Sequence, residues 1–179
     1  MAKALLGRIE NGKPASLAAT PASAGVEQMR AAYVVSTPPR AAAGAWLVYR
    51  DHFLNSSAQT QISEIRKGAP ASNLVGAAEA LRLPRERVYE LVGLSASTAK
   101  RKLAKDETLD SLMTERLTRL GAIERLAEET FGDALLASEW LQTINLGLGN
   151  VTPLSMLDTE IGCREVSRVL NAIAYGGAA

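Results

Sequence analysis

From residue 45 onward, apolar side chains recur mostly at three- and four-residue steps, the spacing of one helix face. Trp46, Leu47, Tyr49 and Phe53 open the series, with Ile62 and Ile65 after a candidate break at Asn55-Ser56-Ser57 and an end at Gly68-Ala69-Pro70. Residues 71–106 read as four short, closely packed helices. Ser72 is placed to cap one that carries Leu74, Val75, Ala78 and Leu81. Pro84 suits the first turn of the next, which carries Val88, Leu91 and Val92. Gly93 supplies a turn, and Ser95 or Ser97 caps a helix with Ala99 and Leu103 inward.

A longer stripe follows over residues 109–131: Leu109, Leu112, Met113, Leu117, Leu120, Ile123, Leu126 and Ala127. It can serve a core, a seam between two copies, or both. Gly132 ends it, and Asp133 caps a helix bearing Leu135, Leu136, Trp140 and Leu141. Residues 145–150 read as a loop, Thr152-Pro153 as a cap with proline at the first helical position, and about 161–174 as a last helix with Val166, Val169, Leu170 and Ile173 on one face. No convincing sheet emerges, so the expected fold class is all-α. Residues 1–44 are rich in Ala, Ser, Thr, Pro and Gly and read as an arm or linker, with a helical turn over Val26–Val35 or a short strand at Ala32–Val35 as options.

Composition narrows the classes. With 179 residues, 47% hydrophobic and 22% charged, the chain suits one or two small globular domains, and its aromatic content of 4% demands aliphatic cores. No apolar run approaches the roughly 20 residues of a membrane span. The start is too polar for a secretory signal, and the single Cys163 fits a reducing compartment, so a cytoplasmic protein is expected. The net charge of +1 hides an asymmetry: residues 82–105 hold seven basic and two acidic side chains, residues 106–179 five basic and twelve acidic. Such a split suits a module for an anion beside a module for something else.

The basic segment carries a specific pattern. Gly93-Leu94-Ser95-Ala96-Ser97-Thr98-Ala99-Lys100-Arg101 has the glycine turn, the apolar anchor and the polar helix start of a helix-turn-helix. Ser97, Thr98, Arg101 and Lys102 are the expected readers of bases and phosphates, with Arg85, Arg87, Ser95, Lys100 and Lys105 around them. The competing reading is a solvated basic helix of a bundle. Tyr89 departs from the pattern, where alanine is usual. A helix-turn-helix reads DNA best as a pair on a two-fold operator, and Leu109, Leu112, Met113, Leu117, Leu120 and Ile123 are the candidate seam of a homodimer.

Further along, Glu124, Glu128, Glu129, Asp133 and Glu139 lie near Trp140 and read either as a face for a basic partner or as a solvated helix surface. Little here suggests catalysis. His52 is the one histidine, and its neighbour Asp51 points elsewhere on a helix; Gly147-Leu148-Gly149 lacks the strand and third glycine of a dinucleotide loop and reads as a hinge. Asp158 and Glu160 read as helix-start residues. No metal site, cofactor or small-molecule substrate is expected, and neither is enzymatic activity.

Phe131-Gly132-Asp133, Trp140-Leu141, Gly149-x-x-Thr152-Pro153-Leu154-x-x-Leu157-Asp158-Thr159, Gly162-x-x-Glu165-Val166 and Ile173-x-Tyr175-Gly176 resemble the toxin-binding domain of Xre/MbcA/ParS-type antitoxins. That resemblance implies a RES-domain toxin that degrades NAD as partner, blocked sterically, together with operator DNA and repression of the antitoxin's own operon. It divides the chain into an arm (1–44), an Xre-like helix-turn-helix domain (45–106) and a dimerising, toxin-binding domain (107–179). It points to Trp140, Arg164, Arg168, Asn171 and the end Tyr175-Gly176-Gly177-Ala178-Ala179 as toxin contacts, the end being slender enough to enter an NAD pocket. Read without the resemblance, that end is an ordinary frayed terminus. Relatives have Arg and Glu around the final isoleucine, where this chain has Ala172 and Ala174. The alternative function is a stand-alone helix-turn-helix regulator whose C-terminal domain binds another protein.

Overall fold

Helix after helix is punctuated where local chemistry dictates. The computed structural model describes residues 41–176. They form α1 (Ala41–Asn55), α2 (Ala58–Lys67), α3 (Ser72–Ala80), α4 (Arg85–Val92), α5 (Ala96–Ala104), α6 (Ser111–Phe131), α7 (Ala134–Gln142), two 3₁₀ turns (Leu146–Leu148 and Pro153–Met156) and α8 (Glu160–Tyr175). Among the described residues there is no strand, only isolated bridges pairing Pro70 with Thr108 and Asn145 with Val151. The fold class is therefore all-α.

Side-chain caps start most helices by taking an orphan backbone N–H. Ser57, Ser95, Asp110, Asp133 and Thr159 each accept from the first turn of α2, α5, α6, α7 and α8. Ser72 does not act this way. It is the first residue of α3, behind Ala71, which makes no side-chain cap bond. Between residues 71 and 106 there are three helices rather than four, because the chain needs only the Arg82 and Gly93 corners to fold back. The loop at 145–150 winds into a 3₁₀ turn closed by the Asn145 N–H donating to the Val151 carbonyl at 3.0 Å.

The long helix α6 is the axis on which α1, α2, α4, α7 and α8 pack. Leu109, just before it, and Leu117, Leu120 and Ile123 on it are all buried in this chain's own core. The apolar stripe read as a candidate dimer seam is thus spent within one copy. Of these residues only Leu112, 55% exposed, faces outward, and the half-buried Met113 packs against the core. Periodicity marks a buried face but cannot say whether the cover comes from the same chain.

The closest packing is α1 along α3. It is possible because Gly76 of α3 leaves room for α1, as Gly121 does where α1 crosses α6. A Cβ on Gly121 would stand 2.9 Å from Trp46 Cζ2, and one on Gly76 would collide with the Ala42 carbonyl. Trp46 fills that notch with 1% of its surface exposed. Its indole N–H donates to Glu124 Oε2 at 2.8 Å, and Arg50 Nη1 lies 3.3 Å from the same carboxylate while Nη2 donates to Glu128 at 2.9 Å. Arg125 in turn binds Glu129 at 2.8 Å and Asp51 at 3.2 Å. Within the acidic row, Glu124, Glu128 and Glu129 are thus paired with arginines of this chain, two of them with Arg50 of α1, while Glu129, Asp133 and Glu139 remain exposed.

Candidate nucleic-acid interface and partner surface

Helices α4 and α5 meet at Gly93, which adopts φ 82° and ψ 31°, a left-handed turn that a side chain resists. The Leu94 N–H then donates to the Tyr89 carbonyl at 2.7 Å, fixing the angle of the second helix. Leu94 and Ala99 are buried beneath it. Tyr89 is buried too and serves as part of the core, with its phenol pKa raised by burial. The two helices thus form a helix-turn-helix, with α5 in the recognition position.

The structure sorts the expected DNA-binding residues. Ser95 accepts from the Thr98 N–H at 3.2 Å and donates to the Thr98 hydroxyl at 2.9 Å, so both are engaged in capping. Ser97 is exposed, with its hydroxyl 3.0 Å from that of Ser95, and Lys100, Lys105 and Arg85 are exposed and form no ion pair among the described residues. Arg87 pairs with Glu90 at 2.9 Å on its own helix. Arg101 is exposed but bound to Glu107 at 2.6 Å. Lys102 does not project as a reader: it is largely buried and donates to the Thr108 carbonyl at 2.8 Å, with Glu107 3.6 Å away. The helix period turns Lys102 toward the following loop, while Ser97, Arg101 and Ala104 share the outer face. Glu107 was not among the expected site residues. Its approach depends on the reversal at Asp106, where φ is 50°.

Helix α8 turns Val166, Val169 and Leu170 inward and leaves Ile161, Arg164, Arg168, Asn171 and Tyr175 outward, Tyr175 at 87% exposure. Between α8 and α6 runs an open groove of about 430 Å³, whose lining brings Arg164, Arg168 and Asn171 together with Arg119. Ile123 and Cys163 contribute to its apolar floor. Burial pushes the Cys163 thiol up, so the reactive thiolate is suppressed and the residue acts as a small apolar filler. Trp140 stands apart from this groove. It is half-buried on α7 and packs on Phe131 with ring centroids 5.6 Å apart. Gly176 follows as a left-handed cap of α8, and Gly177, Ala178 and Ala179 lie outside the described residues. A second exposed apolar group, Ile144, Leu146 and Val151, sits around the first 3₁₀ turn and was missed because a loop gives no periodic signal.

His52 lies on the outside of α1 with Nε2 3.6 Å from Glu64. Among the described residues no group of His, Cys, Asp or Glu is placed to hold a metal ion. No helix among them is long and apolar enough to cross a membrane.

A helix-turn-helix followed by a small helical domain with an exposed basic and apolar face defines a class of two-function binding proteins. Known families place the chain more closely. Residues 60–121 match the antitoxin Xre-like helix-turn-helix domain, and residues 126–176 match the antitoxin Xre/MbcA/ParS C-terminal toxin-binding domain. The chain is 31% identical over 125 residues, 65% of its length, to a Prs ADP-ribosylating antitoxin of Sphingobium sp., of which the match covers 79%. It is 34% identical over 79 residues to an antitoxin Xre of Pseudomonas putida, and 27% identical over 95 residues to an antitoxin Xre of Yersinia enterocolitica. Those matches take in 44% and 52% of this chain and 50% and 64% of the relatives, less than two thirds of either. The chain belongs to the Xre/MbcA/ParS-type antitoxins. Helix α1 precedes both matched regions.

Proposed function

We propose that this antitoxin neutralises a RES-type, NAD-consuming toxin by covering its nucleotide pocket, and that it represses its own operon through α5. The observation that carries the first half is the outer face of α8. Arg164, Arg168 and Asn171 share one groove there, Tyr175 projects beyond it, and these α8 residues lie inside the region that matches a toxin-binding domain, while α6 supplies the opposite wall. Filling a pocket excludes substrate without chemistry from the antitoxin, so no catalytic residue is required of this chain. The Sphingobium relative's name speaks of ADP-ribosylation of Prs. Transfer of ADP-ribose draws on NAD, which supports a partner with an NAD pocket.

Operator binding would use Ser97, Lys100 and Arg101 as the outward residues of α5, with Arg85 and Lys105 toward phosphates. Two copies on a two-fold operator fit the small footprint of one helix-turn-helix. The contact between copies then uses surface other than Leu109, Leu117, Leu120 and Ile123.

The test is co-expression with a RES-domain toxin, then pull-down and NAD assay. The full chain should bind and protect NAD. A chain stopped after Ala174 should still bind but protect less, and Arg164→Glu with Arg168→Glu should weaken capture at least tenfold, as reversed charges oppose a complementary face. If the full chain captures no such toxin but still binds upstream DNA, the regulator reading replaces the toxin reading.

A further inference from the structure

We infer that Glu107 is a built-in restraint on DNA binding, holding the reader Arg101 away from the duplex until a phosphate or base displaces it; this rests on α5 being the DNA-reading helix. Two cations of α5 converge on this one carboxylate: Arg101 Nη1 is 2.6 Å from Oε1, and Lys102 Nζ is 3.6 Å from Oε2. The carboxylate is not there by chance of an exposed side chain. Its residue is pinned on both sides of the backbone: the Glu107 N–H donates to the Lys102 carbonyl at 2.9 Å, and its carbonyl accepts from the Ala71 N–H at 3.0 Å. The Glu107 side chain is itself about one third exposed, against half for Arg101.

Geometry decides between restraint and assistance. In a helix-turn-helix the first turns of the recognition helix meet base edges. Here that end is Ala96–Lys100, and Glu107 follows the opposite end of the helix, past Ala104. A guanidinium bound to Glu107 is drawn away from the reading end. The pair also places a negative charge beside the surface that must approach phosphates. DNA must therefore exchange one ion pair for another at Arg101, and the gain per contact falls.

Removing the carboxylate while keeping its shape isolates the effect. The probe is a mixed-sequence duplex of about 30 base pairs, read by fluorescence anisotropy with the full chain between about 50 and 200 mM salt. Glu107→Gln should bind about two- to fivefold more tightly at the low end, the scale that an exposed ion pair resists. Its affinity should fall more steeply with log salt by about one, the signature of one added phosphate contact. Asp106→Asn removes the same charge one residue away, where asparagine tolerates the left-handed backbone, and should tighten binding less. In an Arg101→Ala background, Glu107→Gln should gain no more than Asp106→Asn does, since the restraint acts through Arg101.

Weaker binding by Glu107→Gln would make Glu107 an orienting residue and overturn the inference. So would equal gains from Glu107→Gln and Asp106→Asn, or a gain in the Arg101→Ala background larger than that of Asp106→Asn. Circular dichroism melting of each variant confirms that the comparison is between folded proteins. If neither the wild type nor Glu107→Gln binds the duplex at the lowest salt, the DNA-reading assignment of α5 falls, and the restraint with it.

Discussion

Replacing Trp46 with alanine should remove about 3–5 kcal/mol of stability and lower the melting temperature by roughly 10 °C or more. The indole is 1% exposed and sits in the space left by Gly121, whose missing side chain lets α1 lie against α6. Its ring also stacks beside Tyr49, with centroids 6.1 Å apart. Truncation leaves a cavity at a three-helix junction, and it withdraws the N–H that Glu124 Oε2 accepts at 2.8 Å. Both losses act together, because a buried carboxylate short of a donor is costly in its own right. Phenylalanine at this position should be intermediate, restoring much of the volume but not the hydrogen bond. Chemical denaturation read by circular dichroism checks this. A change below about 1 kcal/mol would show that α1 does not unfold with the rest of the protein.

Arg50→Met should be at least as damaging, and its cost should depend on pH. The guanidinium is 5% exposed and binds the buried Glu124 and the partly exposed Glu128 of α6, so removing it strands the Glu124 carboxylate in the interior at a cost of about 3–5 kcal/mol. Burial, the largest influence, pushes the Glu124 carboxyl up from 4.5 to about 7, against the lowering effects of Arg50 and of the Trp46 hydrogen bond. A carboxyl whose folded pKa is raised takes up a proton more readily in the folded state. Its contribution to stability is full below about pH 4.5 and is lost as pH rises through about 7.

Without Arg50 the stranded carboxyl protonates more readily still. The deficit of Arg50→Met should therefore be greatest near pH 8 and shrink toward pH 5. Glu124→Gln in the otherwise natural chain should flatten the stability profile over the same window, by up to roughly 3 kcal/mol. Denaturation midpoints at the two pH values read both effects, and a deficit that is equal at both would refute the assignment to Glu124.

These two residues also mark where reading the chain in order stops working. The helix-turn-helix was legible because its chemistry is local: a glycine that must turn, a serine three residues before the amide it caps, a buried alanine one step on. The cap at Asp133 was legible for the same reason, and so was the all-α class, whereas Thr152, read as a cap, makes no side-chain cap bond, and Thr159 rather than Asp158 or Glu160 caps α8. The Trp46–Glu124 and Arg50–Glu128 contacts join positions 78 residues apart, and no spacing announces them. In their absence, the acidic side chains of α6 look like an open face, and its leucines look available to a second copy. Lys102 was misplaced on a smaller scale. It lies within the basic run, but one helical step decides whether a lysine faces DNA or its own loop, and the Asp106 reversal that receives it is not a glycine position. The groove beneath Arg164 and Arg168 needed the packing of α8 on α6 before those residues could be seen to share a surface with Arg119.

Trp46 and Gly121 are a matched pair in volume, one at its largest and the other at its smallest. They lie on helices separated by most of the helix-turn-helix. Across family members, the two positions should drift together: wherever the glycine has grown, the tryptophan should have contracted or its helix should have left the bundle. Grafting either half from a relative into this chain would then carry a hidden incompatibility that its own local sequence does not display.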